Sequence, residues 1–203
     1  MATLALVRHG QSEYNFQNRF TGQLDVQLTE TGKQEAVKAA TILQQSNIQF
    51  SDAFTSGLKR AQETLKIILT LIDPENKIPV VTHAALNERN YGMLQGLDKK
   101  ETASLYSEQQ VNEWRRGFLS RPPGGESLED TFKRVIPYFN SSIRPGLQSQ
   151  RNVLVVAHGN SLRALMMYLE NISPLEIEHV EIATGVPKLY ELTNEKLLAL
   201  SIQ

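Results

Sequence analysis

The chain contains no cysteine among its 203 residues. This absence excludes disulfide bonds, zinc sites built from thiolates, and phosphatase chemistry that uses a cysteine nucleophile. Long apolar runs are also missing, since no stretch approaches the roughly 18 residues of a membrane span. Arg8 interrupts the apolar run at the N-terminus. We therefore expect a cytoplasmic protein that does not enter a membrane.

The net charge is also close to zero, because the chain has 21 basic and 22 acidic residues and therefore a formal charge of -1. A balanced chain of this kind does not attract nucleic acid or a membrane surface through its bulk charge. Any anion must therefore be bound by a local cluster of cations. The length fits one domain, so we expect residues 1–203 to form a single domain. Assembly into a homo-oligomer stays open.

Short apolar runs alternate with helical patterns along the chain. Strands are predicted at 3–7, 53–55, 79–83, 152–157 and 186–192, with helices between them. This alternation predicts an α/β fold of three layers, α/β/α, with a mainly parallel central sheet. Residues 88–125 lack strand character. We expect them to form a small inserted helical cap above the ends of the strands.

Helix ends are marked by a few polar residues and one proline. Thr31 is the predicted N-cap of the first long helix. Ser127 and Asp130 form a predicted capping box at the start of a later one. Pro137 lies inside that later helix and should bend it or end it.

Two histidines follow predicted strands near opposite ends of the chain, His9 in the run Arg8-His9-Gly10 and His158 after residues 152–157. Ligands of open α/β sheets collect beyond the carboxyl ends of strands, so neighbouring strands would bring both rings to one ligand. Phosphoryl transfer needs an in-line nucleophile and several cations around the transferred group. Arg8 and Arg60 supply such cations, the latter near the start of a predicted helix. We predict a phosphoryl-transfer site, although either histidine alone is more typical of a hydrogen-bonded turn.

Transfer to or from an alcohol also needs a group that protonates the leaving oxygen, and Glu88 is the predicted proton donor and acceptor. Arg115 and Arg116 are the most basic point of the predicted cap and suit a substrate carboxylate. The alternative interpretation of Glu88 is a surface glutamate paired with Arg89, and that of the two arginines is a solvated face. We predict no metal site, because the four histidines lack ligand spacing and no glycine-rich phosphate loop or aspartate cluster occurs.

These motifs resemble those of the histidine phosphatase superfamily and, within it, the cofactor-dependent phosphoglycerate mutases. The likeness runs from Leu4 to about Leu192 and includes Arg8-His9-Gly10, Leu86-Asn87-Glu88-Arg89, Trp114-Arg115-Arg116-Gly117 and His158-Gly159-Asn160-Ser161. It implies a phosphohistidine at His9, proton transfer by Glu88, and a phosphate held by Arg8, Arg60 and His158. The substrate-binding residues that it implies are Arg8, Gly10, Asn15, Thr21, Gly22, Arg60, Glu88, Arg89, Tyr91, Lys99, Arg115, Arg116, Gly159 and Asn160.

The reaction implied by the resemblance interconverts 3-phosphoglycerate and 2-phosphoglycerate, primed by 2,3-bisphosphoglycerate, as an isomerase of glycolysis and gluconeogenesis. Two alternatives stay open: a broad-range phosphomonoesterase of the phosphohistidine type, and an inactive scaffold. Three features depart from many such mutases. Gln23 replaces an aromatic after Thr21-Gly22, the connection at 118–126 is short, and the sequence stops at 201–203 without a basic tail. They leave the ratio of isomerisation to hydrolysis open.

Overall fold

The computed structural model describes residues 1–193 and 196–200, so the expectation about the tail at 201–203 lies outside the described residues. Six strands in these ranges form one sheet. They are β1 (Thr3–Arg8), β2 (Asp52–Thr55), β3 (Val80–Thr82), β4 (Val153–Ala157), β5 (Lys188–Thr193) and β6 (Lys196–Leu200). Their order is β3-β2-β4-β1-β5-β6. The first four strands in this order pair in parallel, whereas β5 and β6 are antiparallel.

Eight α-helices occur in the described chain. They are α1 (Glu13–Phe16), α2 (Glu30–Gln45), α3 (Lys59–Ile72), α4 (Lys99–Tyr106), α5 (Glu108–Arg116), α6 (Leu128–Tyr138), α7 (Arg144–Gln148) and α8 (Gly159–Glu170). Short 3₁₀ turns span Ala84–Leu86, Gly92–Leu94 and Glu176–His179, and a π-helical turn spans Phe139–Ile143. No helix within the described ranges is long and apolar enough to cross a membrane.

The predicted helix ends agree with the structure in some places and not in others. The predicted N-cap at Thr31 is wrong, because the hydroxyl of Thr29 accepts from the Gly32 amide at 3.1 Å and α2 begins at Glu30. Ser127 and Asp130 form the predicted capping box of α6. That helix ends one residue after Pro137, and the chain continues as the π-helical turn.

The two faces of the sheet carry separate apolar layers, because successive side chains of a strand point to opposite faces. Within β4, Val153 and Val155 belong to a cluster with residues of α6 and α8, whereas Leu154 and Val156 belong to a cluster with residues of α2 and α3. All five residues of β4 are buried. The chain therefore has the predicted three-layer α/β/α architecture with the sheet in the middle.

The parallel pairing of β1 and β4 determines where the two strand-end histidines lie. Arg8 is opposite Ala157 in the register, and the amide of His9 donates to the carbonyl of Ala157 at 3.0 Å. Both strands therefore end at the same edge of the sheet. Residues 88–125 contain α4, α5 and a 3₁₀ turn but no strand. Their apolar side chains pack around Trp114 in a cluster separate from the two main layers.

Candidate active site

His9 and His158 lie side by side at the carboxyl edge of the sheet. Their ring centroids are 5.0 Å apart and the rings are tilted by 58°. Both side chains are buried, with His9 only 2% exposed. Two imidazoles from distant parts of the sequence thus reach one small volume.

The hydrogen bonds of His9 fix its tautomer. Its Nδ1 lies 2.7 Å from the carbonyl oxygen of Gly10, and a carbonyl can only accept, so Nδ1 carries the proton. Arg60 donates through Nε to Nε2 of His9 at 3.3 Å. Burial, followed by the charges of Arg60 and Arg8, holds the pKa of His9 well below its usual value. The ring is therefore neutral near pH 7 and has a lone pair on Nε2, as a nucleophile requires.

His158 is held by a serine that the sequence reasoning did not assign. Its Nε2 shares a hydrogen bond of 2.6 Å with the hydroxyl of Ser56, directly after β2. Burial, then the charge of Arg60, lowers the pKa of His158. The position of Ser56 after a buried strand, the same signal that identified the histidines, could have found it.

Arg60 links His9 to the loop that follows α1. The guanidinium donates to the carbonyls of Gly22 at 2.8 Å and Leu24 at 2.9 Å, in addition to its contact with His9. Burial lowers the pKa of Arg60 to about 10, which leaves it charged at neutral pH. Its planar fork of donors holds this loop against the imidazole.

Glu88 is buried beside the start of α8. Its Oε1 accepts from the amides of Arg89 at 2.8 Å and Asn160 at 3.0 Å. A Cβ placed on Gly159 would lie 3.6 Å from Oε2 of Glu88 and 3.7 Å from the guanidinium of Arg8. The absence of a side chain at Gly159 therefore keeps a small space open next to both side chains.

A cavity of about 170 Å³ opens next to these groups. It brings together eleven of the residues implied by the resemblance: Arg8, Asn15, Thr21, Gly22, Glu88, Tyr91, Lys99, Arg115, Arg116, Gly159 and Asn160. It is also lined by six residues that were not assigned from the sequence: Arg19, Phe20, Arg163, Val180, Glu181 and Ile182. Arg163 lies three residues after Asn160 on α8, a spacing that could have placed it on the same helix face.

Five of the assigned residues do not line this cavity. His9, Arg60 and His158 are buried next to it, since Arg8 and Gly159 are chain neighbours of the histidines and Arg60 binds the carbonyl of Gly22. Gly10 packs against α2, where a Cβ would come within 2.1 Å of a backbone oxygen. Arg89 is fully buried and donates to the hydroxyl of Tyr91 and the carbonyl of Arg115. Both therefore contact protein groups rather than the cavity.

The cavity is strongly cationic. Six basic side chains line it, against two carboxylates among the described residues, Glu88 and Glu181. Burial, followed by repulsion from Arg115 and Arg8, lowers the pKa of Lys99 to about 8. Such a surface suits a ligand with several negative charges. No group of three or more His, Asp or Glu side chains within the described ranges could hold a metal ion.

Comparison with known proteins shows the family of this chain. The chain belongs to the histidine phosphatase superfamily (branch 1), whose family model matches residues 4–201. Curated relatives named 2,3-bisphosphoglycerate-dependent phosphoglycerate mutase include one from Cytophaga hutchinsonii, 55% identical over 96% of this chain and 90% of its own length. Another, from Gloeobacter violaceus and named as enzyme 2 of this kind, is 51% identical over 94% of this chain and 86% of its own length.

Solved structures share the fold at lower identity. Bacillus stearothermophilus YhfR superposes with a TM-score of 0.84 at 24% identity, covering 98% of this chain and 95% of that one. The mycobacterial glucosyl-3-phosphoglycerate phosphatase has a TM-score of 0.81 at 26% identity, covering 98% of this chain and 97% of that one. The sheet and its helical layers are therefore those of this superfamily.

Proposed function

We propose that the chain is a 2,3-bisphosphoglycerate-dependent phosphoglycerate mutase that interconverts 3-phosphoglycerate and 2-phosphoglycerate in the cytoplasm. The observation that carries this proposal is a neutral His9 with its Nε2 lone pair beside His158, next to a cationic cavity that also contains Glu88. The names of the relatives support the same reaction. Residues 1–203 act in it as one catalytic domain, with 88–125 as the cap.

The donors around the cavity fit a phosphoglycerate. Nε of Arg8 is buried and has no hydrogen-bond partner within the described residues, so it is free to bind a phosphate oxygen. Lys99, Arg115 and Arg116 lie on the cap side and suit the carboxylate. When bound, 2,3-bisphosphoglycerate supplies the phosphoryl group that loads His9.

His9 acts as the nucleophile in the loading step. Its Nε2 attacks phosphorus in line, the bond between phosphorus and the leaving oxygen breaks, and the protonated carboxyl of Glu88 gives its proton to that oxygen. In the structure Arg60 donates to Nε2 of His9. This nitrogen bonds to phosphorus when His9 is loaded, so Arg60 then donates to a phosphate oxygen instead. Arg8, Arg60 and His158 stabilise the charge on the transferred group.

Glu88 reverses its role when the phosphoryl group leaves His9. The carboxylate takes the proton of a substrate hydroxyl, the hydroxyl oxygen bonds to phosphorus, and the bond to Nε2 breaks. A hydroxyl held in place has an effective molarity on the order of 10⁵ M or more. The cap thereby favours transfer to bound phosphoglycerate over transfer to water.

The decisive experiment measures formation of 2-phosphoglycerate from 3-phosphoglycerate with trace 2,3-bisphosphoglycerate and excess chelator. We expect wild-type protein to turn over and His9→Gln to be inactive. His83→Gln is the matched control, because His83 is an exposed histidine that does not line the cavity. A wild-type protein that forms no 2-phosphoglycerate would overturn the proposal.

A second candidate is hydrolysis of phosphomonoesters by the same phosphohistidine. It is favoured by the phosphatase named among the solved structures with this fold. Release of inorganic phosphate from several unrelated monoesters, faster than isomerisation, would support it. Retention of label from radioactive 2,3-bisphosphoglycerate on wild type but not on His9→Gln would rule out an inactive scaffold.

A further inference from the structure

The segment Val180–Ile182 forms one wall of the cavity and is tied to two of its cations. The carbonyl of Ile182 accepts from Arg8 at 2.8 Å. The neighbouring carboxylate of Glu181 accepts from the guanidinium of Arg116 on the cap. One short segment thus contacts Arg8, which is predicted to bind the phosphate, and Arg116, which is predicted to bind the carboxylate.

The backbone of this segment is anchored on both sides. The amide of Val180 donates to the carbonyl of Ile177 at 3.2 Å, and the amide of Gly185 donates to the carbonyl of Arg8 at 3.0 Å. The side chain of Glu181 is 75% exposed, whereas that of Arg116 is 26% exposed. Glu181 can therefore leave Arg116 by side-chain rotation alone.

We propose that Glu181 is a specificity-determining residue that competes with the substrate carboxylate for Arg116. This inference rests on the proposed function, because it takes phosphoglycerate as the ligand. A ligand with a carboxylate must displace Glu181 from Arg116 and then lies near the displaced charge. A phosphate ester without a carboxylate leaves the ion pair intact.

The size of the effect follows from the exposure of the pair. Exposed ion pairs are weak because water screens them, so displacement weakens carboxylate binding by a factor of about two to five. Glu88, the other carboxylate of the cavity among the described residues, has Oε1 held by two amides. Glu181 is thus the acidic side chain of this cavity, among the described residues, that is placed to set affinity for the carboxylate of the ligand.

The test compares two ligands that share a phosphate ester but differ in the carboxylate, 3-phosphoglycerate and glycerol 3-phosphate. Calorimetric titration of wild type and Glu181→Gln gives their dissociation constants, and leaving out 2,3-bisphosphoglycerate prevents turnover because His9 is then not loaded. We expect Glu181→Gln to bind 3-phosphoglycerate about two- to fivefold more tightly and glycerol 3-phosphate as wild type does. A structural defect would not raise affinity for one ligand alone.

Two variants make the test specific. In an Arg116→Gln background, Glu181→Gln should no longer change the affinity for 3-phosphoglycerate. Glu75→Gln removes a different exposed ion-paired carboxylate, which does not line the cavity, and should leave both affinities unchanged.

Three outcomes would overturn the inference. Glu181→Gln could bind 3-phosphoglycerate no more tightly, or it could tighten both ligands equally, which would indicate a general field effect. Failure of wild type to bind 3-phosphoglycerate would overturn the proposed function together with it. If wild type binds 3-phosphoglycerate but Glu181→Gln does not bind this ligand selectively more tightly, only the role of Glu181 is overturned.

Discussion

Arg60 donates through Nε to Nε2 of His9 across 3.3 Å, and the same guanidinium binds two carbonyls of the loop after α1. One buried side chain therefore orients the nucleophile, lowers its pKa and holds a wall of the cavity. Replacing Arg60 should therefore change the pH dependence of the reaction, which replacing a residue that only binds the substrate anion would not do.

We expect Arg60→Gln to reduce kcat/KM by about 10²- to 10³-fold, as is typical for loss of a donor to developing charge. The variant should also raise the pKa of His9, because the charge of Arg60 lowers it. Protonated His9 has no lone pair on Nε2, so the acid limb of the pH profile should move to higher pH. Arg151→Gln, at an exposed arginine paired with Asp52, is the control. An unmoved acid limb would contradict this electrostatic role.

Glu88→Gln should slow isomerisation by about 10²- to 10⁴-fold, the usual effect of losing a general acid and base. The amide oxygen of glutamine can still accept from the amides of Arg89 and Asn160, so thermal unfolding should change little. Stopped-flow measurement of product formation, together with thermal melting, separates the two effects. Full activity in this variant would show that another group transfers the proton.

Lys99 should make substrate affinity depend on pH. Its pKa of about 8 means that the ammonium charge is present below this pH and is lost as pH rises through it. KM for 3-phosphoglycerate should therefore increase above pH 8, by about tenfold when the charge is fully lost. Lys99→Gln should have a high KM at every pH, and its profile should be flat near pH 8. The measurement is KM between pH 6.5 and 9, and a wild-type KM that is constant across this range would contradict the assignment.

Arg163 should act as a positioning residue for the cap. It donates to the carbonyl of Arg116 at 2.8 Å and to Oδ1 of Asn160 at 3.0 Å, and so ties the end of α5 to α8. Arg163→Met should raise KM for 3-phosphoglycerate by about tenfold, since charged hydrogen bonds contribute about 1.5–3 kcal/mol each. Hydrolysis of p-nitrophenyl phosphate, which has no carboxylate, should change less. An equal loss on both substrates would indicate a general structural defect.

The sequence predicted five of the six strands in the described residues, among them the largely buried β1 and β4 and the exposed β3. The runs that became β1 and β4 are apolar, with four of six and all five of their residues buried, and His9 and His158 follow directly after them. The missed strand, β6, has only one buried residue of five, and its sequence Lys196-Leu-Leu-Ala-Leu200 lacks the alternation of apolar and polar residues that marks a half-buried strand. The N-cap was predicted two residues too late. Glycine is unusual inside a helix, but Gly32 lies in the first turn of α2, where the lack of a side chain permits close contact with Gln11.

For the site, local motifs indicated residues that lie near each other in the chain, such as Arg8 and His9. The wall formed by Val180–Ile182 could not be predicted, because its contacts to Arg8 and Arg116 join positions 174 and 65 residues apart. Ser56 and Arg163 fall between these cases. Each lies close in sequence to a residue that was assigned, Ser56 to Arg60 and Arg163 to Asn160, but only the fold shows which groups it binds.

The pairing of β1 with β4 has a consequence for biosynthesis. His9 emerges early from the ribosome, yet its amide donates to the carbonyl of Ala157, and the intervening 147 residues, 10–156, must be folded back before the contact forms. Closing so long a stretch makes assembly a late, non-local event. A nascent chain thus has no competent centre until most of it has been synthesised, and regain of turnover during refolding reports completion of the whole sheet.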